Sequence, residues 1–150
     1  MRVRHSPCLV LSLFLLLVPG HFTPARTVTV EQIPSPRPTG WAVDLTGTLP
    51  PERLAELNSL GDEVKVKTGA EMAVVLVGST DGVDSHEFAT RLFNAWGIGQ
   101  SGKNNGLLVF AALADHRAEI VLGRGLDDGR NRGESAVVMR DVILPRFRAG

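Results

Sequence analysis

The chain of 150 residues carries 16 basic and 16 acidic residues, 43% hydrophobic residues and a single cysteine. This length fits one domain, and the hydrophobic fraction excludes a disordered chain. The balanced charge disfavours a nucleic-acid-binding protein, and one cysteine forms neither an internal disulfide nor a cysteine zinc site.

The first 25 residues have the layout of a secretory signal peptide. Arg2 and Arg4 precede an uncharged, leucine-rich run over Cys8–Val18, and a Pro-Gly pair ends that run. The run is shorter than the roughly 20 residues that span a bilayer, so a cleaved signal is favoured over a membrane anchor. We therefore expect cleavage near Ala25 and a periplasmic, extracellular or cell-envelope location.

The next part of the chain predicts a tether, a strand, a helix and a second strand. Residues 26–40 are rich in proline and predict an extended tether. The alternation over Trp41–Leu45 predicts a short strand. Pro51 in a helix-opening position and Gly69 in a helix-ending position bound a helix. The continuous apolar run Met72–Val77 is typical of a strand buried on both faces.

The second half of the chain predicts a helix, two strands and a last helix. Asp84 is a helix cap, and apolar residues at helical spacing follow it as far as Gly97. The run Leu107–Ala112 predicts a second buried strand, and Glu119–Leu122 predicts its antiparallel neighbour after a turn. Residues Glu134–Leu144 predict the last helix.

This order of elements predicts an α/β fold. Two buried strands that are joined through a helix lie parallel, with a right-handed crossover. We therefore expect a mixed, largely parallel sheet flanked by helices, that is, a three-layer αβα sandwich forming one domain.

The glycine-rich segments do not predict a nucleotide site. Gly97–Lys103 has the glycine spacing of a phosphate-binding loop, but it follows a helix and precedes a strand, which reverses the order in a P-loop. Asn104 also stands where a P-loop needs Ser or Thr. The second glycine-rich loop, Gly123–Gly129, lacks the spacing of a dinucleotide fingerprint. We therefore expect no nucleotide cofactor.

Residues 92–109, with the sequence LFNAWGIGQSGKNNGLLV, resemble the signature of the TPM domain family. Further segments resemble that family in the same order along the chain, and together they cover about residues 41–150. These segments are Val43-Asp44 with Leu49–Glu52, Thr68–Glu71, Gly123–Leu126 and Ile143–Gly150.

The resemblance implies an α/β sandwich in a protein that is exported and often tethered to a membrane. Some members of the family are similar to acid phosphatases, and some bind calcium or another divalent ion in loops at one edge of the sheet. Family domains generally continue past the Phe-Arg-Ala-Gly segment into another helix. We therefore expect residues 41–150 to be either a short form or a domain truncated at its C-terminus.

If the strand order follows the family, five side chains with hard oxygen ligands should meet at one edge of the sheet: Asp44, Asn104, Asn105, Asp127 and Asp128. Such oxygens are the ligands that calcium prefers, and a bound ion would hold a phosphate and orient a water molecule. The alternative is that they only form turns, which Asn-Gly and Asp-Gly favour without a ligand. Asn104 and Arg132 stand where many family members carry Asp, and this loss of negative charge favours the alternative.

Three functions are therefore open. The first, which we prefer, is a non-enzymatic binding or accessory module of the cell envelope, with a protein partner at or near a membrane and calcium or magnesium as the ion. The second is a metal-dependent, acid phosphatase-like hydrolase that acts on a phosphorylated substrate. The third is a structural domain without a ligand. Family membership does not decide among them, because one fold supports several chemistries.

Overall fold

The computed structural model describes the backbone of residues 28–149 and the side chains of residues 28–146. The predicted signal peptide over residues 1–25 lies outside the described residues. The strands of the sheet are β1 (Ala42–Asp44), β2 (Glu71–Val77), β3 (Gly106–Ala112) and β4 (Arg117–Leu122). They lie in the order β1-β2-β3-β4; the first three are parallel, and β4 is antiparallel to β3.

The helices are α1 (Pro51–Thr68), α2 (Ser85–Trp96), α3 (Gly129–Val138) and α4 (Leu144–Ala149), with a π-helical turn over Met139–Ile143 between α3 and α4. The predicted ends of α1 and α2 are confirmed. Pro51 is the first residue of α1, and Gly69 ends it with a φ of 73°. The Asp84 side chain caps α2 by accepting a hydrogen bond from the Glu87 backbone N–H at 2.9 Å.

Helices cover both faces of β2, which confirms the three-layer arrangement. Val75 and Val77 lie in the cluster that contains the α2 residues, and Val74 lies in the cluster that contains the α1 residues. Alternate residues of a strand point to opposite faces, so α1 and α2 lie on opposite sides of the sheet. Within the described residues, no helix has the length and apolar character needed to cross a membrane.

The third strand is buried on one face only, and the prediction that it is buried on both is wrong. Leu108 and Phe110 are completely buried on the α2 side, whereas Leu107 and Val109 on the other face are half-buried. The reason is that α1 packs against β1 and β2, while α3 buries none of its residues. The apolar face of β3 and β4 is therefore incompletely covered.

The prediction that residues 26–40 form an extended tether is wrong for the described part of that segment. Val30 and Ile33 are 5% and 3% exposed and belong to the main core, with a short 3-10 turn over Val30–Gln32 between the extended parts. Arg37 makes an ion pair with Glu71 at 2.7 Å. Burial of the two apolar side chains outweighs the extended preference of the prolines, so residues 28–37 belong to the folded domain.

Candidate functional site

The two glycine-rich loops pack against each other backbone to backbone. The Gly125 N–H donates to the Asn104 carbonyl at 3.0 Å, and the Gly123 N–H donates to the Gly106 carbonyl at 2.8 Å. A Cβ atom on Gly125 would lie 2.0 Å from the Lys103 carbonyl oxygen, and one on Gly123 would lie 2.2 Å from that of Asn104. These glycines are therefore required by the close approach of the loops, which explains their spacing without a phosphate.

Asn104 and Asn105 have different surroundings in the first loop. Asn104 is exposed and has a φ of 50°, a backbone conformation that Asn tolerates better than most residues. Asn105 joins two segments, because its amide donates to the Gly69 carbonyl at 2.9 Å and its side-chain oxygen accepts from the Gln100 N–H at 2.9 Å. The Asn105 side chain therefore already holds the loop beside the end of α1.

Glu71 anchors the same end of the sheet. Its carboxylate accepts from Lys65 Nζ at 2.6 Å, from Arg37 Nη1 at 2.7 Å and from the Gly99 N–H at 2.9 Å. Burial alone would raise the pKa of Glu71, but the hydrogen bonds from Lys65 and Gly99 and the charges of Lys65 and Arg37 hold that pKa below its ordinary value. Arg37 also donates to the Gly97 carbonyl at 3.0 Å. The carboxylate thus ties α1, the segment before β1 and the glycine-rich loop together.

The two aspartates of the second loop also have local partners. Asp128 caps α3, because its Oδ1 accepts from the Asn131 N–H at 2.7 Å. Asp127 lies 3.4 Å from Arg132 Nη1, and both side chains are largely exposed. The positively charged Arg132 side chain therefore lies beside Asp127 in this loop.

Asp44 lies at the opposite end of the sheet from the other four residues. It pairs in register with Leu76 near the carboxyl end of β2, whereas Asn105 immediately precedes Gly106, which pairs with Glu71 at the amino end. The prediction that all five side chains meet at one edge is therefore wrong. The loop after β1 and the loop before β3 lie at opposite ends of parallel strands, and sequence spacing alone does not reveal this.

Asp44 organises the turn that leads into α1. Its Oδ1 accepts from the Thr46 N–H at 2.7 Å and the Thr46 hydroxyl at 2.5 Å, and its Oδ2 accepts from the Leu49 N–H at 2.8 Å. Partial burial alone would raise the pKa of Asp44, but these hydrogen bonds and one from the Gly47 N–H hold it below its ordinary value. Both carboxylate oxygens are therefore engaged in the turn.

Sequence reasoning missed a second carboxylate at the carboxyl end of the sheet. Asp115, in the turn between β3 and β4, accepts from the Thr80 N–H at 2.7 Å and the Ser79 hydroxyl at 2.7 Å. The Thr80 backbone bond is the main reason that the pKa of Asp115 lies below its ordinary value. A signal for this contact was present, because Ser79-Thr80 and Asp115 each follow the end of a parallel strand. Like Asp44, Asp115 holds a loop.

Ser85, His86 and Glu119 have the composition of a nucleophilic triad but not its connectivity. Glu119 Oε1 accepts from the Ser85 hydroxyl at 2.6 Å, and Glu119 Oε2 lies 3.4 Å from His86 Nδ1. In a triad the histidine stands between the hydroxyl and the acid, so that it removes the hydroxyl proton. Here the acid stands between them, and the group joins α2 to β4.

The assembled groups do not form the predicted five-residue ion site. Among the described residues, there is no group of three or more His, Cys, Asp or Glu side chains that is arranged to hold a metal ion. Of the predicted ligands, Asn104, Asp127 and Asp128 lie in the two loops that contact each other, and Asp44 and Asn105 are engaged in turns. Binding of a divalent ion through any of these residues stays a prediction.

The described chain is therefore an α/β sandwich whose two glycine-rich loops are joined at the amino end of the sheet. The sequence model of the TPM domain family matches residues 42–150. The chain belongs to this family.

Two solved structures have the same fold. One is the solution structure of the N-terminal domain of a protein from P. gingivalis, which is 26% identical, with a TM-score of 0.75 over 83% of this chain and 82% of that chain. The other is that of the N-terminal domain of a protein from Corynebacterium glutamicum, which is 20% identical, with a TM-score of 0.59 over 73% of this chain and 70% of that chain. The chain matches none of the curated proteins with which it was compared.

Proposed function

We propose that this chain is an exported, non-enzymatic binding module of the cell envelope that docks on a protein at or near a membrane. The observation that carries the proposal is the apolar surface of α3 and the following π-helical turn. Val137, Val138 and Val142 are between 42% and 47% exposed, and α3 buries none of its residues. Grouped apolar side chains at a surface are typical of interaction sites.

The polar residues support a binding role over phosphate hydrolysis. A metal-dependent hydrolase needs carboxylates that are available to hold an ion or to move a proton. Asp44 and Asp115 instead accept several hydrogen bonds that hold loops, and Asp128 caps a helix. These acids contribute to the fold, so the apolar surface beside α3 is the stronger candidate for function.

Export and ion binding are parts of the proposal that rest on the sequence. The signal-peptide layout of residues 1–25 supports export to the cell envelope. Carboxylate and amide oxygens in the two glycine-rich loops support calcium or magnesium as the ion. An amide NMR titration with each ion separates the sites: saturable shifts at Asn104 and Asp127 support a site at the amino end of the sheet, shifts at Asp44 support one at the other end, and no shifts contradict this part.

Two assays of the full chain test the proposed function. In the first, p-nitrophenyl phosphate is supplied with calcium or magnesium. We expect no turnover above that of the Asp44→Ala variant, and chelator-sensitive turnover that is lost in this variant would favour the hydrolase instead.

In the second assay, a photo-reactive amino acid replaces Val137 in the exported chain in its own cell envelope. Val66 on α1, which is 85% exposed, provides the matched control position. We expect one discrete protein adduct at position 137 and none at position 66. The same adducts at both positions, or none at either, would contradict a specific binding surface on α3.

A further inference from the structure

The outer edge of β4 has backbone groups without partners among the described residues. β4 is the last strand of the sheet, and in the part of the chain that the structure describes its only strand partner is β3. Gly123 bonds to Gly106 across this pair, so the alternation of an antiparallel ladder directs the backbone groups of Ala118, Ile120 and Leu122 away from β3. No hydrogen bond within residues 28–149 reaches these outward groups.

The opposite edge of the sheet is short, and a side chain covers its start. At β1, the Asn58 side-chain oxygen accepts from the Trp41 N–H at 2.6 Å and from the Ala42 N–H at 3.1 Å. Folded proteins commonly block an exposed edge in such ways, because an open edge pairs with any available strand. The edge of β4 is therefore the longer one, with six residues against three in β1, and no described side chain covers it as Asn58 covers the start of β1.

A groove of about 520 Å³ runs along the outer edge of β4. Four consecutive β4 residues, Glu119–Leu122, line it, so the groove follows the strand rather than one face of the sheet. Thr90 of α2 and Ala136 of α3 lie in its opposite walls.

We propose that this groove, the β4 groove, binds an extended segment of a partner protein as an added, fifth strand of the sheet. The inference rests on the proposed function and specifies how that binding module recognises its partner. Main-chain hydrogen bonds to Ala118, Ile120 and Leu122 would supply affinity, as in other cases of strand addition. The four residues of the floor span about 13 Å at roughly 3.3 Å per residue, so the bound segment has about four residues in the groove.

The walls of the groove determine the chemistry of the segment. Ile120 and Leu122 lie on the face of β4 that also lines the apolar space beneath α3, so alternate residues of the segment should be apolar. The charged side chains of the walls already have partners within the domain, since Arg132 lies 3.4 Å from Asp127 and Glu119 accepts from the Ser85 hydroxyl at 2.6 Å. The segment is therefore uncharged, with apolar residues alternating with small polar ones.

The same walls disfavour a second copy of this chain as the occupant. Pairing of two β4 edges would bring two copies of α2 and α3 together beside the shared strands. A single extended segment, in contrast, enters between the two helices. The occupant is thus a strand-forming segment of another protein, and self-association through β4 is an outcome that would contradict the proposal.

The test begins with a displayed library of random seven-residue peptides panned against the full chain. The most enriched peptide is synthesised, together with a version that is N-methylated at alternate residues and cannot form the ladder. We expect enriched peptides to be uncharged and alternating, to shift the amide signals of Ala118, Ile120 and Leu122, and to lose at least tenfold in affinity on N-methylation.

Two variants provide the matched comparison. Ala136→Trp fills the β4 groove, whereas Val66 on α1 is 85% exposed and lies outside it, so Val66→Trp adds the same bulk away from the groove. We expect the first variant to weaken the peptide at least tenfold and the second to leave its affinity within twofold. Both changes are at exposed positions, and circular dichroism confirms that each variant is folded.

Several results would overturn the inference: no enriched peptide, equal binding by both variants, tolerance of N-methylation, or dimerisation through β4. Failure of the proposed function is a separate result, namely phosphatase turnover or no specific adduct at position 137. A discrete adduct at that position, with no peptide bound along β4, would still support a binding function and would reject only strand addition.

Discussion

The two helices beside β4 contribute differently to the molecule. α2 buries Phe88, Ala89 and Leu92 in the main core, whereas α3, of nearly the same length, buries no residue. α2 therefore contributes side chains to the core, whereas α3 lies on the surface and contributes no fully buried side chain. In this domain, α3 is therefore a better candidate for partner binding than the glycine-rich loops, because those loops stabilise the fold.

We expect the largest loss of stability when a core side chain of α2 is shortened. Leu92 is completely buried, so Leu92→Ala removes apolar contacts and leaves a cavity. We expect it to lower the free energy of unfolding by about 2–5 kcal/mol. Val137→Ala on α3 is the matched control, with an expected change within about 0.5 kcal/mol. Urea unfolding of both variants measures the two free energies. Equal losses would contradict the claim that α2, but not α3, contributes to the core.

The glycines give a second contrast. Gly125→Ala places a Cβ against the Lys103 carbonyl oxygen, so we expect a loss of about 1–3 kcal/mol in the free energy of unfolding. Gly133 lies inside α3, and a Cβ atom added there would meet no other part of the described chain within 4 Å. Gly133→Ala should therefore gain roughly 0.5–1 kcal/mol through helix propensity. Thermal unfolding measures both, and a stabilising Gly125→Ala would reject the explanation of the glycine spacing by loop packing.

A third contrast compares two ion pairs. Glu71→Gln leaves Arg37 and Lys65 without their carboxylate, and the side chain of Glu71 is only 12% exposed. We expect a loss of roughly 1–3 kcal/mol in the free energy of unfolding. Glu134→Gln removes the exposed pair with Arg130 on α3, for which we expect a much smaller loss, because solvent screens exposed charges. Chemical denaturation of the two variants checks the order, and a reversed order would contradict the anchoring role of Glu71.

The pH dependence of stability should be the smallest effect. The pKa values of Asp44 and Glu71 lie below their ordinary values of 3.8 and 4.5, so on acidification the unfolded chain binds protons first. The stabilisation is therefore complete above about pH 4.5 and is lost as the pH falls through the folded-state pKa values. Asp44→Asn should flatten the decline in unfolding free energy as the pH falls through and below the ordinary pKa of 3.8, and an unchanged slope in that variant would reject this contribution of Asp44.

Local signals in the sequence predicted most of the fold. Pro51, Gly69 and Asp84 marked helix ends, because capping depends on neighbouring residues only. The apolar runs located β2 and β3, but the half-exposed face of β3 depends on how far α1 and α3 reach over the sheet. The burial of Val30 and Ile33 depends likewise on distant core residues, and a proline-rich composition concealed it.

The candidate site was less predictable than the fold. Asp44 and Asn105 were recognised as polar residues at the ends of strands, yet they lie at opposite ends of the sheet. Sequence spacing identifies a loop but not the end of the sheet at which it lies. Residue type alone also does not tell whether an Asp or Asn side chain forms a turn hydrogen bond or binds an ion. The outward backbone groups of β4 have no side-chain signature, so only the strand order reveals them.

Native-state amide hydrogen exchange of the full chain tests the contrast between α2 and α3 most directly. We predict that the amides around Leu92 exchange only through global unfolding and that those around Val138 exchange much faster through local opening, because local stability follows burial. Equal protection of the two helices would contradict the account, since α3 would then belong to the cooperative core.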